Sequence, residues 1–276
     1  MTIRTPSEDH AIKSMAFAVE FRELVSGPAL RAFKEKLAEQ VSKTLPKRSE
    51  KQSVTFSFDS EAGSTKPATT DLAGVSFSRI EPDGTVHQAF SLEGKSMFVA
   101  NNFYTSWTEA FAQARELLLQ GFDAIKEFVE LKSIALQYND EFRSDISLEE
   151  FDPSILFEKK TIYLPAGVFA RRGPWHCHQG FTVDDGKQLI NLNTTLEGDG
   201  TGVLIKTLSS HRVQISIRAL EKDQAVEAEP GVFVSDDGML PVFQNSIDTH
   251  FPRMHRANKE LFMGLLTCEI QQQIGL

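Results

Sequence analysis

Apolar side chains fall on every second position in several separate stretches of this chain. Met15, Phe17, Val19 and Phe21 alternate with Ala16, Ala18 and Glu20. In 131–142, Ile134, Leu136 and Tyr138 share one side while Gln137 and Asn139 take the other. VSFSRI (75–80) and VHQAFSL (86–92) flank Pro82-Asp83-Gly84, and Asp-Gly supplies the positive φ of a tight hairpin. A period of two buries one face of a strand and presents the other. Such strands build an antiparallel sheet covered on one face and free on the other.

Two helical patterns interrupt the strands. Ser26 precedes Gly27-Pro28, and Leu30, Phe33, Leu37 and Val41 follow at helical spacing until Pro46. Ser106 and Glu109 form a capping box, and Trp107, Phe111, Leu118, Phe122 and Ile125 continue that helix's apolar face. Gly94 turns the chain into the strand 96–103 between them. The order strand, helix, strands, helix, strand is the β-α-β-β-α-β of a ferredoxin-like unit with an extra strand in its meander. Residues 1–12 read as frayed and 47–73 as a polar linker around a short strand.

The acidic stretch 144–154 ends in Asp152-Pro153 and marks a boundary. The expected architecture is therefore α+β in two halves, each an antiparallel sheet packed by one or two helices. Residues 1–146 form the ferredoxin-like half, and 147–276 a second sheet with a terminal helix. Strands are expected at 157–165, 175–183, 188–196 and 213–220, and the helix from about Asp248 to Ile270.

Composition narrows the function classes. The chain has 276 residues and a net charge of −9, which disfavours non-specific nucleic-acid binding, although residues 31–51 form a local basic stretch. There is no apolar run of about 18 residues and no apolar leader after Met1, so a cytoplasmic protein off the membrane is expected. Two cysteines give no disulfide framework. Phenylalanine reaches 21 against 3 Tyr and 2 Trp, pointing to a Phe-rich core with part of it available at an interface.

Candidate chemistry is sparse. His176 and His178 share a strand face and are weak metal candidates, but no further ligand motif completes a site. Cys177 points away from both. Asp248, His250 and His255 cluster in sequence, yet His250 and His255 are about 140° apart around a helix. Gly198, Gly200 and Gly202 lead into a strand and not a helix, so they make no phosphate loop. The polar cluster Gln137, Asn139 and Asp140, together with Trp107, is the candidate ligand- or partner-binding set. No catalytic residue and no cofactor are expected.

Several motifs together resemble a sporadically distributed family of bacterial and archaeal proteins of unassigned function. They are Phe17-Ala18-Val19-Glu20-Phe21, Phe77 to Asp83-Gly84, the Tyr104, Trp107 and Phe111 helix start, and the strand 133–140. His255 and Phe262 match the family's last helix. The family's strand reads roughly R-I-G-L-R-Y-I-N, so its Arg stands as Gln137 here and its Asn as Asp140. The resemblance implies a cytoplasmic two-part α+β protein with a patchy distribution like that of mobile or defence loci. It brings no catalytic residues.

The leading expectation is a non-enzymatic binding or adaptor protein with a protein partner or a second copy of itself, serving a mobile-element, phage-defence or toxin-neutralising locus. Nucleic-acid binding on a ferredoxin-like sheet is the alternative. A small-ligand sensor or enzyme with its site between the halves is the third.

Overall fold

The computed structural model describes residues 3–55, 58–59, 64–65, 69–184, 186–215 and 236–276. It is a mixed helix and strand structure built on one antiparallel sheet of ten strands. In chain order the strands are β1 (Ile3–Arg4), β2 (Ile12–Phe21), β3 (Lys47–Thr55), a separate pair β4 (Phe58–Asp59) and β5 (Ser64–Thr65), β6 (Thr69–Ile80), β7 (Val86–Glu93), β8 (Ser96–Asn101), β9 (Leu131–Ser144), β10 (Trp175–Val183), β11 (Gln188–Gly198) and β12 (Val203–Gln214). Across the sheet they run β10-β11-β12-β9-β2-β8-β7-β6-β3, and β1 pairs with the end of β9.

Strand β9 is the seam. Its Leu131–Asp140 stretch pairs with β2, and its Ser133–Ser144 stretch pairs with β12 on the other flank. The expected separate sheet for each half is thus replaced by one sheet that both halves share. The ferredoxin-like order with its extra meander strand is not confirmed. Strand β2 does lie between β9 and β8, but the meander continues outward through β7, β6 and β3.

The helices are α1 (Gly27–Gln40), α2 (Trp107–Ile125), the short α3 (Gly167–Ala170), the long α4 (Asp236–Leu265) and α5 (Cys268–Gln273). Ser26 caps α1 by accepting from the Ala29 amide. Ser106 caps α2 by accepting from the Glu109 amide at 3.3 Å, while the Glu109 carboxylate turns to the Thr105 hydroxyl. Helix α1 packs on α2 and β6, α2 on β8, and α4 on α2, β9 and β12. All three long helices therefore cover one face.

Beneath α1 and α2 the covered face is apolar. Phe17, Phe33, Phe90 and Phe122 are fully buried, with Phe33 edge-on to Phe90 at 5.0 Å. Each such side chain contributes roughly 1.5–3 kcal/mol by leaving water. A Cβ on Gly121 would come within 2.5 Å of the Phe90 ring and 2.6 Å of the Met97 sulfur, so only glycine lets α2 approach this closely. The long helix joins the same core: Phe243 stacks on Phe122 at 4.1 Å, and Phe251 meets Phe17 edge-on at 5.1 Å. Arg115 of α2 forks onto Asp248 of α4 through bonds of 2.6 and 2.8 Å. A second core gathers Phe142, Phe157, Trp175, Ile190 and Leu265.

Other expectations are corrected. Residues 3–4 are not frayed, because Ile3 is buried beside β9. The polar 47–55 segment is no linker but the edge strand β3, whose exposed charges discourage further pairing. The basic stretch 31–51 is partly neutralised, with Lys34 of α1 on Glu50 at 2.9 Å and Lys51 on Glu93 at 2.6 Å. Residues 157–165 make only an isolated bridge, from Phe157 to Leu266. The terminal helix begins at Asp236 and not near Asp248, and carries Pro241 and Pro252 inside it. Most of the expected loop 60–72, the strand residues 216–220 and the acidic 221–235 lie outside the described residues. Among the described residues, no helix is long and apolar enough to cross a membrane.

Candidate functional site

Along the covered side of β9 the residues run Ile134, Leu136, Tyr138, Asp140 and Phe142. The apolar row breaks at Asp140, where the start of α2, the segment before β2 and α4 leave a cavity of about 280 Å³. Its walls include His10, Tyr104, Trp107, Tyr138, Asp140 and His255.

Asp140 is 3% exposed, and its Oδ2 has no hydrogen-bond partner. Burial pushes its carboxyl up to about 8. Burial, and then the Asp140 charge, push the Tyr104 hydroxyl up to about 12. Tyr138 is raised well above its ordinary value, first by burial and then by Tyr104 and Asp140. The Tyr138 hydroxyl shares a 2.8 Å hydrogen bond with His255 Nδ1. The His255 ring lies flat on Trp107, with centroids 4.1 Å apart and planes 1° apart. Burial, Lys259 and His211 together lower His255 to about 4. Trp107 also stacks on Phe111, with centroids 5.2 Å apart.

Behind His255 lies a second polar group. His211 is fully buried, accepts from Gln188 Nε2 at its Nδ1 (3.1 Å) and donates from Nε2 to Asn258 Oδ1 (3.0 Å). The Ser209 hydroxyl donates to the same oxygen at 2.6 Å. Burial lowers His211 to about 4 despite the Asn258 bond. Thr207 sits opposite Asp140 in register, and Thr194 opposite Thr207. Both threonine hydroxyls are buried without a partner. A stripe of polar side chains therefore crosses β9, β12 and β11 beneath α4.

Of the candidate set, Asp140 and Trp107 meet at this cavity. Gln137 and Asn139 do not, because adjacent strand residues point to opposite faces. Gln137 is exposed on the open face, in a groove of about 640 Å³ floored by Ala16, Ala18 and Ala135. There Glu20 accepts from the Ser133 hydroxyl at 2.7 Å and pairs with Arg212 at 2.7 Å.

His176 and His178 are both exposed on one side of the edge strand β10, and His176 Nδ1 lies 3.0 Å from Thr195 Oγ1. Among the described residues no group of three or more His, Cys, Asp or Glu could hold a metal ion. Burial raises the Cys177 thiol. Asp248 is taken up by Arg115, and His250 is lowered by burial and by Arg253. Gly200 has φ +84° in the turn between β11 and β12. A Cβ on Gly202 would fall 2.0 Å from the Ser144 carbonyl oxygen, so that glycine serves strand packing.

His10, His211, Ser209 and Asn258 carry no local motif in the sequence, and His255 stands there only beside His250 and, with Phe262, in the last-helix resemblance. A signal was present in α4: His255, Asn258 and Phe262 lie at helical spacing beside the apolar stripe of Phe251, Met254, Leu261 and Leu265. Tyr104, Trp107, Tyr138, Asp140, His255 and Phe262 all line this one cavity.

No family model matches the chain, and no curated protein matches it. Among solved structures, the di-domain ARO/CYC StfQ from the steffimycin biosynthetic pathway aligns at 10% identity over 90% of this chain and 96% of that one, with a TM-score of 0.16. The di-domain ARO/CYC BexL from the BE-7585A biosynthetic pathway aligns at 9% identity over 95% and 97%, also with a TM-score of 0.16. At those scores neither alignment bears on fold or function.

Proposed function

We propose that the protein binds a small molecule in the cavity between its halves and serves as a ligand sensor. The observation that carries this reading is Asp140, a buried carboxyl with an unpartnered oxygen on the wall of a cavity. An unsatisfied buried polar group costs about 1–3 kcal/mol, and a ligand that pairs with it recovers that cost on binding. The cavity is formed by both halves, from β9 and the start of α2 on one side to α4 on the other. A ligand there stabilises their packing by mass action.

Trp107 forms part of the wall, and the other tryptophan, Trp175, lies in the second core. In a Trp175→Phe background, Trp107 emission should change as fragments from a screen are titrated. Hits should map to Tyr104, Asp140 and His255 by crystallography. Fragments that bind only elsewhere and leave Trp107 emission unchanged would overturn the reading.

A second reading, protein contact through the open sheet face, is favoured by the 640 Å³ groove with its floor of small side chains. The adaptor role in a mobile-element or defence locus belongs to this surface. Ala18→Arg would fill the groove and should abolish capture of a stoichiometric protein partner. Capture unaffected by that change removes the reading.

A further inference from the structure

We infer that the ligand of this cavity carries a protonated amine or amidine nitrogen, and that Asp140 is its counter-ion. This rests on the small-molecule reading above and names the chemistry of that same site.

Three classes of ligand can be compared at Asp140. An anion would meet either a like charge or, at best, a single hydrogen bond from the neutral acid. A neutral donor would gain one ordinary hydrogen bond. A cation gains a charge-assisted bond in a site shielded from water, which is about twice as strong and electrostatically far stronger than in solvent. Among the described residues Asp140 takes part in no salt bridge, although half-buried carboxylates elsewhere have cations, as Asp248 has Arg115 and Glu20 has Arg212. Lys259 lines the cavity but is itself exposed.

The rest of the wall fits a cation with an apolar body. Tyr104 and Tyr138 flank the carboxyl with aromatic rings. His10 stands edge-on to Tyr104 at 4.9 Å, and its buried Nδ1 also has no partner. It offers a second anchor for a hydroxyl or amide. At about 280 Å³ the space lies just under the roughly 300–1,000 Å³ of drug-sized pockets, which fits a small aryl- or alkylamine.

The titratable groups that line the cavity with Asp140 are Asp9 and His10 from the segment before β2, Tyr104 from the approach to α2, Tyr138 on β9 itself, and His255 and Lys259 from α4. Burial holds the free carboxyl protonated up to about pH 8. An incoming ammonium therefore has to expel that proton. Binding should tighten about tenfold per pH unit between pH 6 and 7 and level off above pH 8.

The test uses the full chain and three sets of probes. Benzylammonium and 2-phenylethylammonium are compared with the neutral benzyl alcohol and 2-phenylethanol and with the anions benzoate and phenylacetate. Calorimetry at pH 6, 7 and 8, in two buffers of different ionisation enthalpy, counts the protons released. The ammonium probes should bind at least about tenfold more tightly than the alcohols at pH 8, and the anions should not bind. About one proton should leave per ammonium bound at pH 6. In D140N, which replaces the neutral acid by an amide of the same shape, ammonium and alcohol should bind within about threefold of each other and the pH dependence should vanish. A pH dependence that survives in D140N would assign it to His10 or another neighbour and overturn the assignment. Proton release and the charge preference are read on the unaltered protein, so the test stands even where D140N does not fold. Alcohols binding as well as ammonium ions would overturn the cation while leaving the cavity reading in place. No response from any probe, with Trp107 emission unchanged, would overturn both.

Discussion

The two ends of the covered sheet face are equally buried and chemically unlike. Beneath α1 and α2 the side chains are Phe17, Phe33, Phe90 and Phe122, with a glycine at the closest approach. Beneath α4 the same face carries Asp140, Thr207, Thr194, Ser209 and His211, and the helix answers with Asn258. Apolar burial of the first kind is non-directional and drives folding. Buried polar groups of the second kind cost stability unless they are paired, and three of these, Asp140, Thr207 and Thr194, are left with an unpartnered oxygen. The Phe-rich end supplies the stability that lets the other end keep an incompletely satisfied cavity.

The comparison breaks first at Phe122, which links the two ends through Phe243. Phe122→Ala should cost about 3–5 kcal/mol in urea unfolding. If the cost is below about 1 kcal/mol, the apolar end is not the stabilising one. Asn258→Ala should come next, at about 2–3 kcal/mol, because it leaves both Ser209 and His211 buried without their acceptor. A neutral result would mean that water or a neighbour replaces it.

Asp140→Asn sharpens the contrast through pH. The folded carboxyl titrates at about 8 against 3.8 for the ordinary group. Between those values the unfolded chain is ionised and the folded chain holds the proton, so rising pH favours unfolding. The amide variant escapes this. Its stability should match the parent near pH 4 and exceed it increasingly up to pH 8, by about 1.4 kcal/mol per pH unit at most. A gap that does not grow with pH would place the carboxyl in water.

The histidines act with the opposite sign. His211 and His255 are lowered to about 4, so the folded state rejects a proton that the unfolded state accepts. Stability should be full above the unfolded value of about 6.5 and fall as pH drops toward 4. His255→Gln should flatten part of that acid limb by about 1–2 kcal/mol in melts at pH 5. The smallest effect belongs to the open face: Arg212→Ala removes a partly exposed pair with Glu20 and should cost less than about 1 kcal/mol.

The apolar end was the more legible in the sequence. Alternation in β2 and β9, the Asp83-Gly84 hairpin and the Ser106 cap are local signals, and each element forms where its pattern lies. Pairing across the sheet is not local. Nothing along residues 144–154 says that β9 is flanked by β12 as well as β2. The start of α4 was hidden by Gly238 and Pro241, which signal turns, while Phe243, Ile247, Phe251 and Met254 kept helical spacing through them. The site was half legible. Asp140 stands out by local polarity and Trp107 by the motif at its helix start, but Gln137 and Asn139 stand out with Asp140 although proximity in sequence is not proximity in space. His255 finds Tyr138 across 117 positions, and no short pattern reports that meeting.

The double flanking of β9 has a last consequence. A slip of one residue along either ladder would exchange the strand's two sides, turning Asp140 out to solvent and Gln137 into the phenylalanines. Such a slip would have to break the pairing with β2 and with β12 at once. The carboxyl is thus kept in place by its address in the weave and not by any tether of its own, which leaves its bonding capacity free for whatever arrives.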